Sequence, residues 1–326
     1  MDRGTDRAAE FERHRSRLFG IAYRMLGSVE DARELLQDAY LRWHRAEDAA
    51  VRVPEAWLVA VTTRLSIDRL RRASFERERY VGDWLPEPIA TDEPSAPDRR
   101  AEIASDLSMA FLVLLERLAP EERAAFLLKE VFDADYGEIA SILEKSEAAC
   151  RQMVHRARVR VRQDRARFPV ALEVKERLVE RFVAAVESSD REALLAIVAE
   201  DATWTSDGGG RVSAARNVIR GAVRIARLLV GLERKAAGRT MHRIAWLNGE
   251  PAVATYHGER LLFTTSVETD GERIVAFYRV LNPEKLRGIA GAAPAGCPER
   301  EMAGRRARLF DAQRSPPDTS GSGRGS

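Results

Sequence analysis

Arg151, Gln152, His155, Arg156 and Arg158 are interleaved with Cys150, Val154, Ala157 and Val161. Wound as a helix, the second set makes one narrow apolar face and leaves the first set largely outside it. Arginine can reach guanine bidentately, glutamine can do so with adenine, and further arginines meet phosphates. That is the side-chain chemistry of a helix that reads the major groove. A solvated basic helix in an ordinary bundle would carry the same residues, so the preceding turn matters. There Tyr136, Ile139, Ala140 and Leu143 fall at i, i+3, i+4 and i+7, one apolar stripe. Asp135 and Glu138 have the form of a capping box, and Ser146 can cap the second helix. The spacing therefore predicts two helices joined by a tight turn, with Glu144 in the turn slot where such motifs usually carry Gly. A non-Gly residue there costs roughly 1 kcal/mol.

A second constellation is electrostatic. Glu30, Asp31, Glu34 and Asp38 line the exposed side of a helix whose apolar stripe is Ala32, Leu35, Leu36, Ala39 and Trp43. The next helix ends in Arg64, Asp68, Arg69, Arg71 and Arg72. Acid suits a protein partner and base suits DNA. Catalytic chemistry is weaker. Trp204, Asp207, His242, Tyr256 and His257 are acid–base candidates, but their spacing assembles no pair, and histidines on strands are more often structural. The run DGGG, Asp207 with Gly208, Gly209 and Gly210, lacks the GK[ST] ending of a phosphate loop. The five histidines show no metal-ligand spacing, and no cofactor and no metal is expected.

These groups need elements to hold them. The chain has 326 residues, room for two or three domains. Hydrophobic residues make up 45%, enough for real cores; charged residues make up 32%, yet the net charge is only +2. A nucleic-acid binder so balanced must segregate its charge. Cys150 and Cys297 imply no disulfide framework. No leader or apolar span is visible at the N-terminus, so a cytoplasmic protein with no membrane contact is expected.

Residues 6–75 read as helical: Phe11, Leu18, Ala22 and Met25 mark one helix ended by Gly27, Ser28 opens the next, and Pro54 starts a third. Residues 76–105 are Pro-rich and acidic, an extended linker. Residues 106–168 return to helix, broken at Ala119-Pro120. Residues 172–287 read as α+β: two helices, DATWTSDGGGR, a helix near 215–231, then four strand-like runs. Asn248-Gly249 and Asp270-Gly271 are hairpin-type turns. The sheet is expected to be antiparallel and strongly curved. Residues 288–326 read as a mostly disordered tail.

In this order, SVEDARELLQDAYLRWHR followed by PEAWLVAVTTRLSIDRLRR resembles region 2 of extracytoplasmic-function sigma factors. LAPEERAAFLLKEVFDADYGEIASILEKSEAACRQMVHRARVRV resembles their region 4. WLPEP (Trp84, Leu85, Pro86 and onward), DGGG and NPEKL (Asn282, Pro283 and onward) resemble the motifs of a sigma-J-like subgroup with a fused SnoaL-like domain. The resemblance implies a multidomain fold: two all-α sigma domains, one a helical bundle and one a helix-turn-helix, plus an α+β cone. It implies a transcription initiation factor rather than an enzyme. Glu30, Asp31, Glu34 and Asp38 would dock on the β′ clamp helices of core RNA polymerase, and residues 126–132 on the β flap. The loop 46–53 would capture a flipped base of the −10 element, at a cost of a few kcal/mol. Arg52, Arg64, Arg69, Arg71 and Arg72 would serve that element, and Arg151, Gln152, His155, Arg156 and Arg158 the −35 element. Promoters with a TGTCACA-like −35 and a CGTC-like −10 are implied. Trp84, Leu85, Pro86, Asp207, Gly208, Gly209, Gly210, Asn282 and Pro283 would form a regulatory contact of the fused domain with region 2 and the linker, with no separate anti-sigma factor required. A helix-turn-helix regulator, or a DNA-binding protein with an enzymatic or ligand-sensing domain, remains the alternative.

Overall fold

The computed structural model describes residues 3–47, 51, 53–77, 79–91, 107–164 and 170–290. Arg52, most of the expected linker and residues 291–326, Cys297 among them, lie outside the described residues.

Three helices come first: α1 (Arg3–Leu26), α2 (Val29–Arg45) and α3 (Pro54–Arg77). Gly27 takes φ +67 where α1 stops. Ser28 then caps α2, its Oγ accepting from the Asp31 amide at 3.2 Å. The expected stripes are the buried ones: Leu18, Ala22, Met25, Ala32, Leu35, Ala39 and Trp43 are at most 4% exposed. Four helices follow: α4 (Met109–Leu115), α5 (Pro120–Glu130), α6 (Tyr136–Leu143) and α7 (Glu147–Asp164). The capping box of Asp135 and Glu138 is present at α6, and Ser146 Oγ accepts from the Ala149 amide at 3.2 Å. Glu144 sits at φ 55, ψ 44, in the left-handed region. Cys150, Val154 and Ala157 are fully buried. The apolar cores of the two helical domains are continuous, running from Phe11 and Leu70 to Phe126 and Val161.

The last part holds α8 (Leu172–Glu187), α9 (Arg191–Ile197), β1 (Val198–Asp207), β2 (Ile219–Arg220), α10 (Ala222–Ala236), β3 (Met241–Leu247), β4 (Glu250–His257), β5 (Arg260–Thr269), β6 (Ile274–Val280) and α11 (Arg287–Ala290). It is an α+β domain. Strand order is β2-β1-β6-β5-β4-β3, with register shifts in three of the five pairings. The expected antiparallel sheet is a mixed one, because β1 pairs parallel with β6. That strand had no expectation of its own: its helix-like approach REALLAIVA continues into β1 without a break. The helix expected near 215–231 starts seven residues later, at Ala222. Ile219 and Arg220 pair with β1, and Gly221 at φ +96 precedes the first helical turn. The boundary expected at 287 also moves, since Ile289 of α11 is 3% exposed and packs with Leu286 and Leu85.

Both faces of the sheet are covered. One packs on α8, α9 and α10 through Phe182, Trp204 and Phe277. The other packs Ala254, Tyr256 and Val280 on Leu85 of the linker and Met109 of α4. Purely alternating strands therefore do not occur here; β4 reads buried at six successive positions.

Candidate polymerase and promoter surfaces, and the contact between domains

The acidic residues of α2 stand where the stripe requires. Glu30, Glu34 and Asp38 are exposed and Asp31 is half-buried. Two of them have a basic partner one helix away: Arg69 of α3 donates to Asp31 and, at 2.6 Å, to Glu34. The acidic and basic surfaces of this domain are thus joined by one guanidinium.

The other arginines of α3 reach across to the second helical domain. Arg64 Nε donates to the Ile142 carbonyl at 2.8 Å and its Nη2 to that of Ser141 at 2.9 Å, with Glu144 3.3 Å away. Arg71 pairs with Glu121 at 2.5 Å, and Glu121 also holds Lys145 at 3.1 Å. Arg72 is exposed. On α7, Gln152, His155 and Arg156 are exposed, as is Arg151, which pairs with Glu147 at 2.6 Å and lies over the Tyr136 ring. Arg156 pairs with Glu122, and Arg158 with Glu130. Phe132, the end of the segment expected to meet the β flap, lies against Arg17 and Arg24 of α1. Arg123 is 2% exposed and donates to the Met25 carbonyl at 2.6 Å and to Glu116 at 2.7 Å. Burial pushes its guanidinium down to about 9.

Asp207 organises the third contact. Its side chain is fully buried. It accepts from Tyr80 OH at 2.6 Å, the Leu85 amide at 2.9 Å, Lys285 Nζ at 2.7 Å and the Gly209 amide at 3.0 Å. Burial pushes the Lys285 ammonium down to about 8, against the pull of Asp207. Lys285 Nζ also lies 4.0 Å from the Trp84 ring centre, and Arg77 stands 3.9 Å from the same ring. Arg77 in turn pairs with Glu116, the partner of Arg123. One chain of cations, carboxylates and an indole therefore links the β1 end, the linker, α3 and α4.

The linker itself is a strap. The Glu87 amide donates to the Gly27 carbonyl at 2.8 Å, and Glu87 Oε2 accepts from the Val29 amide at 2.8 Å. Tyr23 OH donates to the Glu87 carbonyl and accepts from Asn248 Nδ2, each at 2.7 Å. Ala90 bridges Leu247. Leu85 and Pro86 are buried, Trp84 half-buried. The glycine run has a steric reason at Gly209: φ is +59, and a Cβ there would stand 2.3 Å from Asn282 Nδ2. Asn282 is buried and donates to Tyr80 OH at 3.0 Å, while Gly208 is buried, Gly210 faces Val81, and Pro283 is exposed.

The structure thus brings Trp84, Leu85, Asp207, Gly209 and Asn282 together. It adds residues the sequence did not single out: Tyr80, Lys285, Glu87, Arg77, Tyr23 and Asn248. Lys285 lies inside NPEKL and Glu87 inside WLPEP, so those two had a visible signal. Tyr23 and Asn248 read as an ordinary stripe neighbour and a turn residue. The acid–base candidates do not converge. Asp207 faces the linker, His242 bonds Thr255 and Glu233, Tyr256 lies on the other face of the sheet, and His257 is exposed. Among the described residues no cluster of three metal-ligating side chains is found, and no helix is long and apolar enough to cross a membrane.

Comparison with known proteins agrees with this arrangement. Residues 11–76 match the Sigma-70 region 2 family and residues 108–161 match Sigma-70, region 4. The chain is 34% identical over 296 residues to the ECF RNA polymerase sigma factor SigJ of Mycobacterium tuberculosis, covering 86% of this chain and 93% of that one. It is 28% identical to the probable ECF RNA polymerase sigma factor SigI of the same species, over 86% and 94% of the two chains. The crystal structure of M. tuberculosis SigJ superposes with a TM-score of 0.70 at 32% identity, over 86% of this chain and 98% of that one. With both sigma regions, the strap and the third domain matched in order, the chain belongs to the extracytoplasmic-function family of RNA polymerase sigma factors.

Proposed function

We propose that this structure is the closed, idle form of the factor, and that its third domain controls opening. A sigma factor binds core RNA polymerase and promoter DNA. On this reading Glu30, Glu34 and Asp38 meet the β′ clamp helices, and residues 126–132 meet the β flap. Arg64, Arg69, Arg71 and Arg72, with Arg52, meet the −10 element. Arg151, Gln152, His155, Arg156 and Arg158 meet the −35 element. The observation that carries the proposal is that Arg64 and Arg71 bond to the second helical domain. They cannot hold promoter phosphates while they hold Ser141 and Glu121.

The contacts that keep the form closed differ in strength. Exposed ion pairs contribute about 0–1 kcal/mol each, so the arginine pairs set register more than stability. The shared apolar core and the buried hydrogen bond from Arg123 to the Met25 carbonyl hold the two domains more firmly. Polymerase binding has to replace both. The strap adds a third hold, because Asp207, Lys285 and Trp84 tie the SnoaL-like domain to the segment between the two sigma domains. This contact in cis takes the role of a separate anti-sigma factor.

Run-off transcription with purified core polymerase on a promoter carrying the implied elements tests the reading. Specific transcripts from the wild-type chain, and more of them from Asp207→Asn, are expected. No promoter-dependent transcript, or unchanged output from the variant, would count against control by this contact.

A further inference from the structure

α10 turns one face into the domain and the opposite face to solvent. Ala222, Ile225, Ala226 and Leu229 are buried. On the opposite side, at helical spacing, stand Arg224, Arg227, Arg234 and Lys235, all exposed. Arg216 and Arg220, exposed just ahead of the helix, add two more cations. Among the described residues no carboxylate pairs with any of the six, those of Glu200 and Asp201 at the start of the neighbouring β1 included. The one carboxylate of α10, Glu233, is turned to His242 and Thr240.

The arginines of α7 are treated differently. There Arg151 holds Glu147, Arg156 and Arg160 hold Glu122, and Arg158 holds Glu130. In a chain of net charge +2, like charges left together without counter-charges make a local field that attracts an anion. The face carries no aromatic side chain, and its exposed apolar residues, Val223 and Leu232, lie apart on opposite margins. An apolar partner therefore has little to bury there.

Gly231 is an independent observation. It lies in the middle of the basic face, one turn from Arg227, Arg234 and Lys235. It is exposed, and a Cβ added to it would meet nothing within 4 Å. A glycine inside a helix weakens it relative to alanine, and no packing in this fold requires one here. A missing side chain between cations lets a large anionic surface come up to the helix backbone. The face is also long: Arg224 to Lys235 covers about 16 Å at ~1.5 Å per residue. Duplex DNA presents one charge per about 1.7 Å of its axis, so such a face meets several phosphates at once. The chain joining α7 to α8 is residues 165–171, which reaches about 25 Å at full extension. The α+β domain therefore stays beside whatever α7 binds.

We propose that the exposed face of α10 binds the phosphate backbone of duplex DNA, without reading sequence, next to the DNA held by α7. The position next to the −35 element rests on the proposed reading of α7; the phosphate contact itself does not.

Fluorescence anisotropy of the full-length chain with a short duplex carrying the implied −35 element, and with a scrambled duplex, over a salt series, tests the proposal. The face is exposed in the free chain, so polymerase is not required. Arg227→Gln combined with Arg234→Gln should weaken both duplexes alike, about tenfold in low salt, and should lower the salt slope by about 1.8, at ~0.9 per phosphate contact. Gly231→Glu keeps every cation and favours the helix, and it should weaken both duplexes as well; it decides if the double variant fails to fold. Arg13→Gln combined with Arg15→Gln, exposed on α1, removes the same charge elsewhere and should bind as wild type. Failure of the −35 reading alone would show as equal binding of matched and scrambled duplexes by the wild-type chain, with the α10 losses intact. No DNA binding by the wild-type chain in low salt would overturn the proposal. So would unchanged affinity and slope in either folded α10 variant, a loss confined to the matched duplex, or an equal loss in the α1 control. Loss of holoenzyme formation by the α10 variants with DNA binding unchanged would assign the face to polymerase and overturn it as well.

Discussion

On the proposed reading, the one guanidinium of Arg64 serves two partners in turn. Its planar fork fits a pair of phosphate oxygens as well as it fits the carbonyls of Ser141 and Ile142. Each such bond is worth on the order of 1 kcal/mol net, so DNA can displace them. The chemistry of these side chains was legible in the sequence. The partner each holds in the closed form was not, because Arg64 and Arg71 meet residues 78 and 50 positions away. Arg151→Ala should lose about 1–3 kcal/mol of discrimination at one −35 base pair, as for a bidentate guanine contact. Arg72→Ala should weaken binding nearly uniformly and reduce the salt slope. A panel of single-base promoter variants distinguishes them, and uniform losses for Arg151→Ala would make it a phosphate contact. Glu87 gives a pH dependence. Burial raises its carboxyl above the usual value of 4.5, so the folded chain holds a proton that the unfolded chain has released. Its contribution is present at low pH and is lost as pH rises from 4.5 through the raised value. Glu87→Gln keeps the acceptor for Val29 and removes the charge, so its stability should gain on wild type as pH rises through that window. Parallel urea melts across pH read the difference; identical slopes would contradict the assignment.

Elements were legible wherever one face is apolar and the other wet. The stripes of α1, α2, α6 and α7 are of this kind, and so are their caps at Ser28, Asp135 and Ser146. The hairpin at Asn248-Gly249 was also plain, with both residues at positive φ, 55 and 76, as a two-residue turn needs. The sheet was harder. With both faces covered, β4 lacks alternation, and β1 continues directly from a helix and pairs parallel with a strand near the other end of the domain. Periodicity carries no signal for such long-range pairing. The same holds for the strap: WLPEP could be singled out by composition, but its partners Tyr23 and Asn248 come from opposite ends of the chain. The strap's buried ion pair can be tested by mutation. Asp207→Asn leaves the Lys285 ammonium buried without its carboxylate, and breaking such a pair costs roughly 3–5 kcal/mol. Asp207→Asn combined with Lys285→Met should recover part of that loss. Chemical denaturation of the four proteins in the cycle checks this, and strict additivity would mean that the two side chains do not act together.

The whole molecule combines near-neutral net charge with segregated faces, and closes them on one another. Acidic α2 keeps exposed carboxylates at Glu34 and Asp38 while much of the basic surface is occupied internally. Reversing both to Lys should therefore abolish holoenzyme formation in moderate salt while leaving the fold intact, because neither is part of the apolar stripe. Normal holoenzyme yield by gel filtration would place the docking face elsewhere. On the proposed reading the molecule has to open to initiate transcription. The two helical domains share a core in the free chain, yet promoter elements more than two helical turns apart, at about 34 Å per turn, require them to separate. Spin labels at Asp68 and Ala148 flank the pairs through Glu121, and both sites are exposed. Pulsed electron–electron double resonance should give a short distance for the free chain and one longer by tens of Å in the transcribing holoenzyme. An unchanged short distance in holoenzyme that still transcribes, or a long distance in the free chain, would contradict the closed-to-open account.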